Sequence, residues 1–268
     1  MKTRRGYVHA PCGHVHYRTY RPDAADDSPV LVLSHQSPSS SLMYEAAYPR
    51  LVAAGIACIG VDTPGFGHSD IPDPRPSVLD YAAIFAPVLD HFGLARAHFI
   101  GHHTGAANVT AFAVRHPERV ASLILNGPPI YDAAELAERR ARPHVPIPLT
   151  EDGSHLKQRW DGRLKVTPGW TNIYAMHRNL LGTLWAGDTA WYGHKAAFEY
   201  DLMADFMRLT SRTLILTNTG DDLYHMAVRA QALRPDMAYR ELEGGTHDIV
   251  DEQPQAWTDA VAAFIHAR

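Results

Sequence analysis

The chain has 268 residues, 46% of them hydrophobic, which is enough to bury one large core and reads as a single domain with an insertion. A formal net charge of −4 and a pI near 6.5 exclude the strongly basic surface that nucleic acid or an anionic membrane would attract. Two cysteines, Cys12 and Cys58, are too few for a disulfide framework, and no apolar stretch follows the basic start Met1 to Arg5, so a cytoplasmic chain with neither signal peptide nor membrane span is expected.

Short apolar runs alternate with helical spacing along the chain, the pattern of strand–helix–strand units. After a polar turn over 23–29, residues 30–34 read as a buried strand, and 42–54 have helical spacing stopped by Gly55. Residues 56–61 form a second apolar run, ending in the turn-rich segment Asp62-Thr63-Pro64-Gly65-Phe66-Gly67-His68-Ser69. A helix over 81–92 carries Pro87, which predicts a kink. A strand at 97–100, a helix over 106–115 and a strand at 120–125 follow.

From 128 to 200 the texture changes. Prolines recur (Pro128, Pro129, Pro143, Pro146, Pro148, Pro168), as do aromatics, and helical pieces over 133–142, 173–181 and 191–202 are joined by irregular segments. This stretch reads as an insertion packed over a sheet built from 1–127 and 201–268. The alternation then resumes with strands at 213–217 and 238–242 and helices over 227–233 and 254–266.

Three segments carry chemistry. Gly101-His102-His103-Thr104-Gly105 lies between a strand and a helix and has the spacing of a nucleophile elbow, whose small flanking residues relieve the crowding of a strained central residue. The central residue is His103. Asn218-Thr219-Gly220-Asp221-Asp222 follows a strand, and an acid about three residues past the strand end is placed to orient an imidazole; Asp221 has that spacing and Asp222 stands next. Gly244-Gly245-Thr246-His247-Asp248 supplies the imidazole, and an acid and a histidine late in the chain match the order nucleophile, acid, base. Ser39-Ser40-Ser41 reads as a helix N-cap cluster.

These segments, with His35-Gln36-Ser37-Pro38 and the run Asp62 to Ser69, resemble the α/β-hydrolase superfamily in its epoxide hydrolase, haloalkane dehalogenase and C–C hydrolase-like branch. The resemblance spans residues 30 to 250. It implies a mostly parallel eight-stranded sheet with helices on both faces, a helical cap over 128–200, and no cofactor; apart from the resemblance, no closely spaced ligand pair such as HxxxH calls for a metal. It also implies an oxyanion hole from the backbone N–H groups of Gln36 or Ser37 and of Thr104, with His35, His102 and Asp222 in supporting positions. Members of the family carry serine, aspartate or cysteine where this chain has His103, so the covalent mechanism does not transfer.

Four roles are open to such a site. His247, oriented by Asp221, activates a water while His103 positions water or substrate. The same pair deprotonates a hydroxyl or carbon acid, giving lyase-type chemistry. His103 attacks and forms an acyl-imidazole. Or His103 and His247, with Asp221 or His35, bind zinc or iron. Hydrolysis of a small ester, lactone or β-diketone-like molecule is the leading expectation, lyase chemistry the second, and a receptor lacking a nucleophile the non-enzymatic alternative. Trp160, Trp170, Tyr174, Trp185 and Trp191 suggest an apolar or aromatic substrate under the cap, although they could equally form the cap's own core. The cap histidines, His144, His155, His177 and His194, could reach the pocket, but each is expected to be solvated or packed instead. A small-molecule substrate and a possible homodimer are the only partners expected.

Overall fold

The computed structural model describes residues 2–21, 28–144 and 147–267; most of the polar turn 23–29 and Pro146 lie outside them. Eight strands form one sheet: β1 (Lys2–Ala10), β2 (Gly13–Arg21), β3 (Val30–Ser34), β4 (Ala57–Val61), β5 (Ala97–His102), β6 (Val120–Asn126), β7 (Thr213–Asn218) and β8 (Ala238–Leu242). Their spatial order is β1-β2-β4-β3-β5-β6-β7-β8. β1 and β2 pair antiparallel, β2 joins β4 antiparallel, and all later pairings are parallel.

Both faces of the parallel part are covered, which is why its strands read as continuous apolar runs. Alternate residues enter opposite layers. Val32, Phe99, Leu123, Leu125 and Ile215 pack into one core layer. Leu31, Leu33, Ile100, Ile124, Leu214 and Leu216 pack into the other, against Tyr44, Tyr48 and Trp257.

The helices are α1 (Tyr48–Ala53), α2 (Val78–Ala82), α3 (Phe85–His91), α4 (Thr104–Arg115), α5 (Ala133–Ala141), α6 (Ser154–Val166), α7 (Ile173–Ala186), α8 (Tyr192–Glu199), α9 (Leu202–Arg208), α10 (Tyr224–Leu233), α11 (Ile249–Glu252) and α12 (Pro254–His266). Three expected helices are broken. The segment 42–54 becomes a 3₁₀ turn, Ser41–Tyr44, and α1, with Pro49 in the first turn of α1. Pro87 falls in the first turn of α3, where its missing N–H costs nothing, and its ring excludes a helical carbonyl four residues back, so 81–92 splits at that point. The expected helix over 191–202 ends at Glu199, and Asp201 caps a new helix, α9, by accepting from the Ala204 N–H. Helices α5 to α9 all fall between β6 and β7, and Thr189 fastens this stretch to the loop after β4 through a 2.6 Å hydrogen bond from its hydroxyl to the Gly65 carbonyl.

Several histidines are enclosed by this packing. Burial lowers the pKa of His35, of His102 and of His194, the last to about 4, against an ordinary value of 6.5. The folded chain therefore takes up fewer protons than the unfolded chain as pH falls below 6.5, so stability falls with pH. Urea unfolding is expected to lose ~1.4 kcal/mol per pH unit for each such ring below pH 6.5, down to its folded pKa. An unfolding midpoint that does not move between pH 7 and pH 5 would refute this.

Candidate functional site

His103 occupies the turn between β5 and α4 with φ 48° and ψ −112°, the one non-glycine residue at positive φ among those described. Its neighbours make that conformation possible. A Cβ on Gly101 would lie 2.2 Å from the Gly105 carbonyl oxygen, and one on Gly105 would lie 2.3 Å from that of Ser34. A side chain at 101 would force the end of β5 off the first turn of α4 and one at 105 would push α4 away from β3, while the His103 N–H donates to the Asn126 carbonyl at 2.9 Å on β6. Strain held from both sides by packed backbone marks a functional position.

The two aspartates after β7 each take a different histidine. His103 Nε2 meets Asp221 Oδ2 at 2.8 Å, and His247 Nδ1 meets Asp222 Oδ1 at 2.7 Å. This corrects the expected assignment: Asp222, not Asp221, orients His247, and Asp221 holds the elbow histidine. The second oxygen of Asp221 accepts the Leu223 N–H at 3.0 Å, which turns its carboxylate inward. Gly127, at φ +55°, leaves room for the pair, since a Cβ there would come within 2.6 Å of His103 Nε2 and 2.7 Å of Asp221 Oδ2. The His247 loop is fixed by Asn218, whose amide donates to the Gly244 and Thr246 carbonyls at 3.1 Å each. The His103 and His247 rings then lie 4.2 Å apart, inclined at 64°.

Two imidazoles this close titrate apart. Burial opposes a charge on His103, but the Asp221 carboxylate beside it, with Asp222 and Asp248 behind, outweighs burial and raises its pKa. For His247 burial and the positive charge of His103 act together and lower the pKa, against the pull of Asp222. The arrangement thus favours the proton on the ring at 103, paired to Asp221, and a neutral imidazole at 247. The Nδ1–H of His247 is held by Asp222, so its Nε2 carries the lone pair. His103 Nδ1 is buried without a partner among the described residues.

Among the oxyanion candidates, the Ser37 N–H is engaged: it donates to the Thr104 hydroxyl at 2.8 Å, which in turn reaches Ser37 Oγ at 3.2 Å. That removes Ser37 from the expected set. Among the described residues the Gln36 N–H meets only the Met43 thioether sulfur, 3.4 Å away and a weak acceptor. The Thr104 N–H lies in the first turn of α4, where backbone donors lack intrahelical partners. His35 is structural. Its Nε2 accepts the Thr63 N–H at 2.9 Å, which leaves Nδ1–H to donate to the Gln36 carbonyl at 2.9 Å and fixes that loop. His102 is fully buried beside His103, with ring centroids 4.4 Å apart.

Sequence reasoning missed a clamp at the base of the site. Arg163 of α6 pairs with buried Asp248, which also accepts from the side-chain amides of Gln36 at 3.4 Å and Asn179 of α7 at 3.3 Å. One carboxylate adjacent to His247 thus ties the oxyanion loop to two inserted helices. Asp248 was visible only as the residue after His247, and nothing local flagged its long-range partners.

The aromatics divide. Trp170 and Trp160 pack with Ala175 and Met176 in a small core of their own, which corrects their assignment to substrate. Tyr174 is exposed on the surface. Trp185 lines a cavity of about 210 Å³ between α7 and the loop after β3, with Ser39, Met43, His68 and Gly182. Trp191 stacks on His144 at 4.9 Å. His155 bonds Thr150, whereas His194 is close enough for His247 and His103 to lower its pKa further.

His103, Asp221 and His247 offer three ligand atoms within 4.8 Å of one another, the set that could hold a metal. Atoms bound directly to a tetrahedral zinc stand roughly 3.3 Å apart at 2.0 Å bonds, so binding would have to draw the rings together and replace the His103–Asp221 hydrogen bond.

Elbow, acid loop and histidine loop follow one another along the carboxyl edge of a parallel sheet, in the order nucleophile position, acid, base; such an order on such a sheet defines a hydrolase-type enzyme. The family model described as alpha/beta hydrolase fold matches residues 29–254, and the chain belongs to that family. It is 25% identical over 252 residues to 2-(acetamidomethylene)succinate hydrolase of Mesorhizobium japonicum, covering 89% of this chain and 88% of that protein. It is 35% identical over 125 residues to 2-hydroxy-6-oxononadienedioate/2-hydroxy-6-oxononatrienedioate hydrolase of Paraburkholderia phymatum, covering 45% of this chain and 43% of that one. Among solved structures, E-2-(acetamidomethylene)succinate hydrolase superposes with TM-score 0.80 at 22% identity over 99% of this chain and 100% of that one. The enol-lactonase of Burkholderia xenovorans does so with TM-score 0.76 at 19% identity, over 98% and 100%. No described helix is long and apolar enough to cross a membrane.

Proposed function

We propose that this hydrolase cleaves a small, largely apolar ester, lactone or β-diketone-like substrate by direct attack of water, with no covalent intermediate. The observation that carries the reading is that each histidine has its own carboxylate. His103 Nε2 is bonded to Asp221, whose carboxylate favours the protonated ring, and a protonated imidazole has no lone pair with which to attack. His247 Nε2 takes a proton from water, and the hydroxide adds to the substrate carbonyl carbon. The oxygen that becomes negative is met by the Nδ1–H of His103 and the N–H groups of Thr104 and Gln36. The tetrahedral intermediate then collapses, and the leaving group takes the proton back from His247. An imidazolium facing a developing oxyanion would serve an enolate equally well, which keeps proton abstraction from a carbon acid as the second reading. The enol-lactonase and the 6-oxo-dienedioate hydrolase named among the similar proteins support a carbonyl substrate.

The two covalent alternatives are separated by trapping. Incubation with p-nitrophenyl acetate, followed by acid quench and intact-mass measurement, is expected to show turnover with no acetyl group on the protein. Acetyl-His103 at a level that matches a burst of p-nitrophenol would overturn the proposal.

A further inference from the structure

Outside the catalytic cluster, the hairpin of β1 and β2 forms one wall of a pocket of about 720 Å³ whose other wall is the 3₁₀ turn Ser41–Tyr44. In the hairpin register Arg5 faces Arg18 and Thr3 faces Tyr20, and all four line the pocket. Like charges directly opposite on one sheet face repel. The repulsion is sharpened by burial, because Arg18 is only 6% exposed. Its Nε donates to Ser41 Oγ at 3.1 Å. Among the described residues no carboxylate lies within 4.0 Å of Arg4, Arg5 or Arg18, whereas Arg115, Arg119 and Arg229 elsewhere each hold one. The acid on the pocket wall, Glu45, is already taken by Arg178 at 3.0 Å.

A buried guanidinium facing a second cation, in a chain of net charge −4, is unfavourable unless an anion sits between them. We propose that this pocket is a binding site for an oxyanion group, a carboxylate or a phosphate, gripped by the guanidinium groups of Arg5 and Arg18. Two planar forks on neighbouring strands suit the paired oxygens of such a group. Tyr20, stacked on Tyr48 with ring centroids 4.1 Å apart, presents a phenol that burial keeps protonated and able to donate. His68 and Leu42 line both this pocket and the cavity beside Trp185, so a bound anion is a direct neighbour of the space under α7. The carboxylate end of a longer substrate and a free anion are the two sources of the group. The site stands on residues that take no part in the reading of His103 and His247.

The test uses the full chain in chloride buffer of fixed ionic strength, titrated separately with inorganic phosphate and with succinate by calorimetry. Saturable binding of either is expected, weakened about tenfold or more in both Arg5→Gln and Arg18→Gln, the size of effect that loss of a charged hydrogen-bond donor produces. Arg5 sits at the exposed rim, so Arg5→Gln keeps the test valid should Arg18→Gln fold poorly. Phosphate that raises KM for hydrolysis in the wild type but not in Arg5→Gln marks the site as holding the substrate's own anionic end. Phosphate that binds without changing KM marks a free anion. Absence of saturable binding, or binding equally strong in the Arg5→Gln variant, overturns the site.

Discussion

Asp222→Asn is expected to lower kcat by about 10²- to 10⁴-fold with a normal melting temperature, and His247→Ala to remove turnover at least as completely. The carboxylate accepts the Nδ1–H of His247 at 2.7 Å and thereby leaves the lone pair on Nε2. An asparagine can instead turn its NH₂ toward the ring, which favours the opposite tautomer and places a proton where the lone pair is needed. KM should change little, since neither oxygen of Asp222 is required to hold substrate. Asp221→Asn, one residue away, should behave differently: it leaves the base intact and removes the charge that keeps His103 protonated. The comparison decides the assignment. If Asp221→Asn were the more damaging in kcat at pH 6 and Asp222→Asn near wild type, Asp221 would be the orienting acid after all.

How these neighbours divide was not legible in the sequence. Spacing after a strand locates a pair of acids, and both Asp221 and Asp222 fit it within one residue. What separates them is three-dimensional: the Leu223 N–H captures one oxygen of Asp221, and the bare Gly127 backbone leaves a channel from that carboxylate to His103. By contrast, the elbow and the His247 loop could be read directly, because glycines that a close backbone approach demands leave a local trace. The same contrast runs through the fold. Strands β3 to β7 announce themselves as apolar runs because both faces are covered. The hairpin β1–β2 has a polar, arginine- and histidine-rich sequence and sits at the sheet edge, so only the family resemblance implied the extra strands. Helix α6 has no fully buried residue and hence no apolar stripe to detect. Its importance lies in Arg163, whose partner Asp248 is 85 positions away.

His103 should govern the alkaline limb of the pH profile. In kcat/KM the acid limb reports protonation of His247, whose pKa is lowered from 6.5, and the alkaline limb reports loss of the proton from His103, whose pKa is raised from 6.5. The two limbs are therefore pushed apart on either side of pH 6.5, and Asp221→Asn should shift the alkaline edge to lower pH by removing the carboxylate that favours the charged ring. Stability follows the same sign: the His103–Asp221 pair contributes fully below pH 6.5, and its contribution is lost as pH rises through the raised pKa. His103→Gln keeps a neutral donor but loses the charge, and is expected to lower kcat by about 10²- to 10³-fold, the scale of one oxyanion donor, while abolishing the alkaline limb. His103→Ser instead places a hydroxyl at the elbow beside His247 and Asp222, and should introduce a burst of p-nitrophenol from p-nitrophenyl acetate that the wild type lacks. An alkaline limb that survives unchanged in His103→Gln would remove the imidazolium from the mechanism and leave His247 to act on water without it.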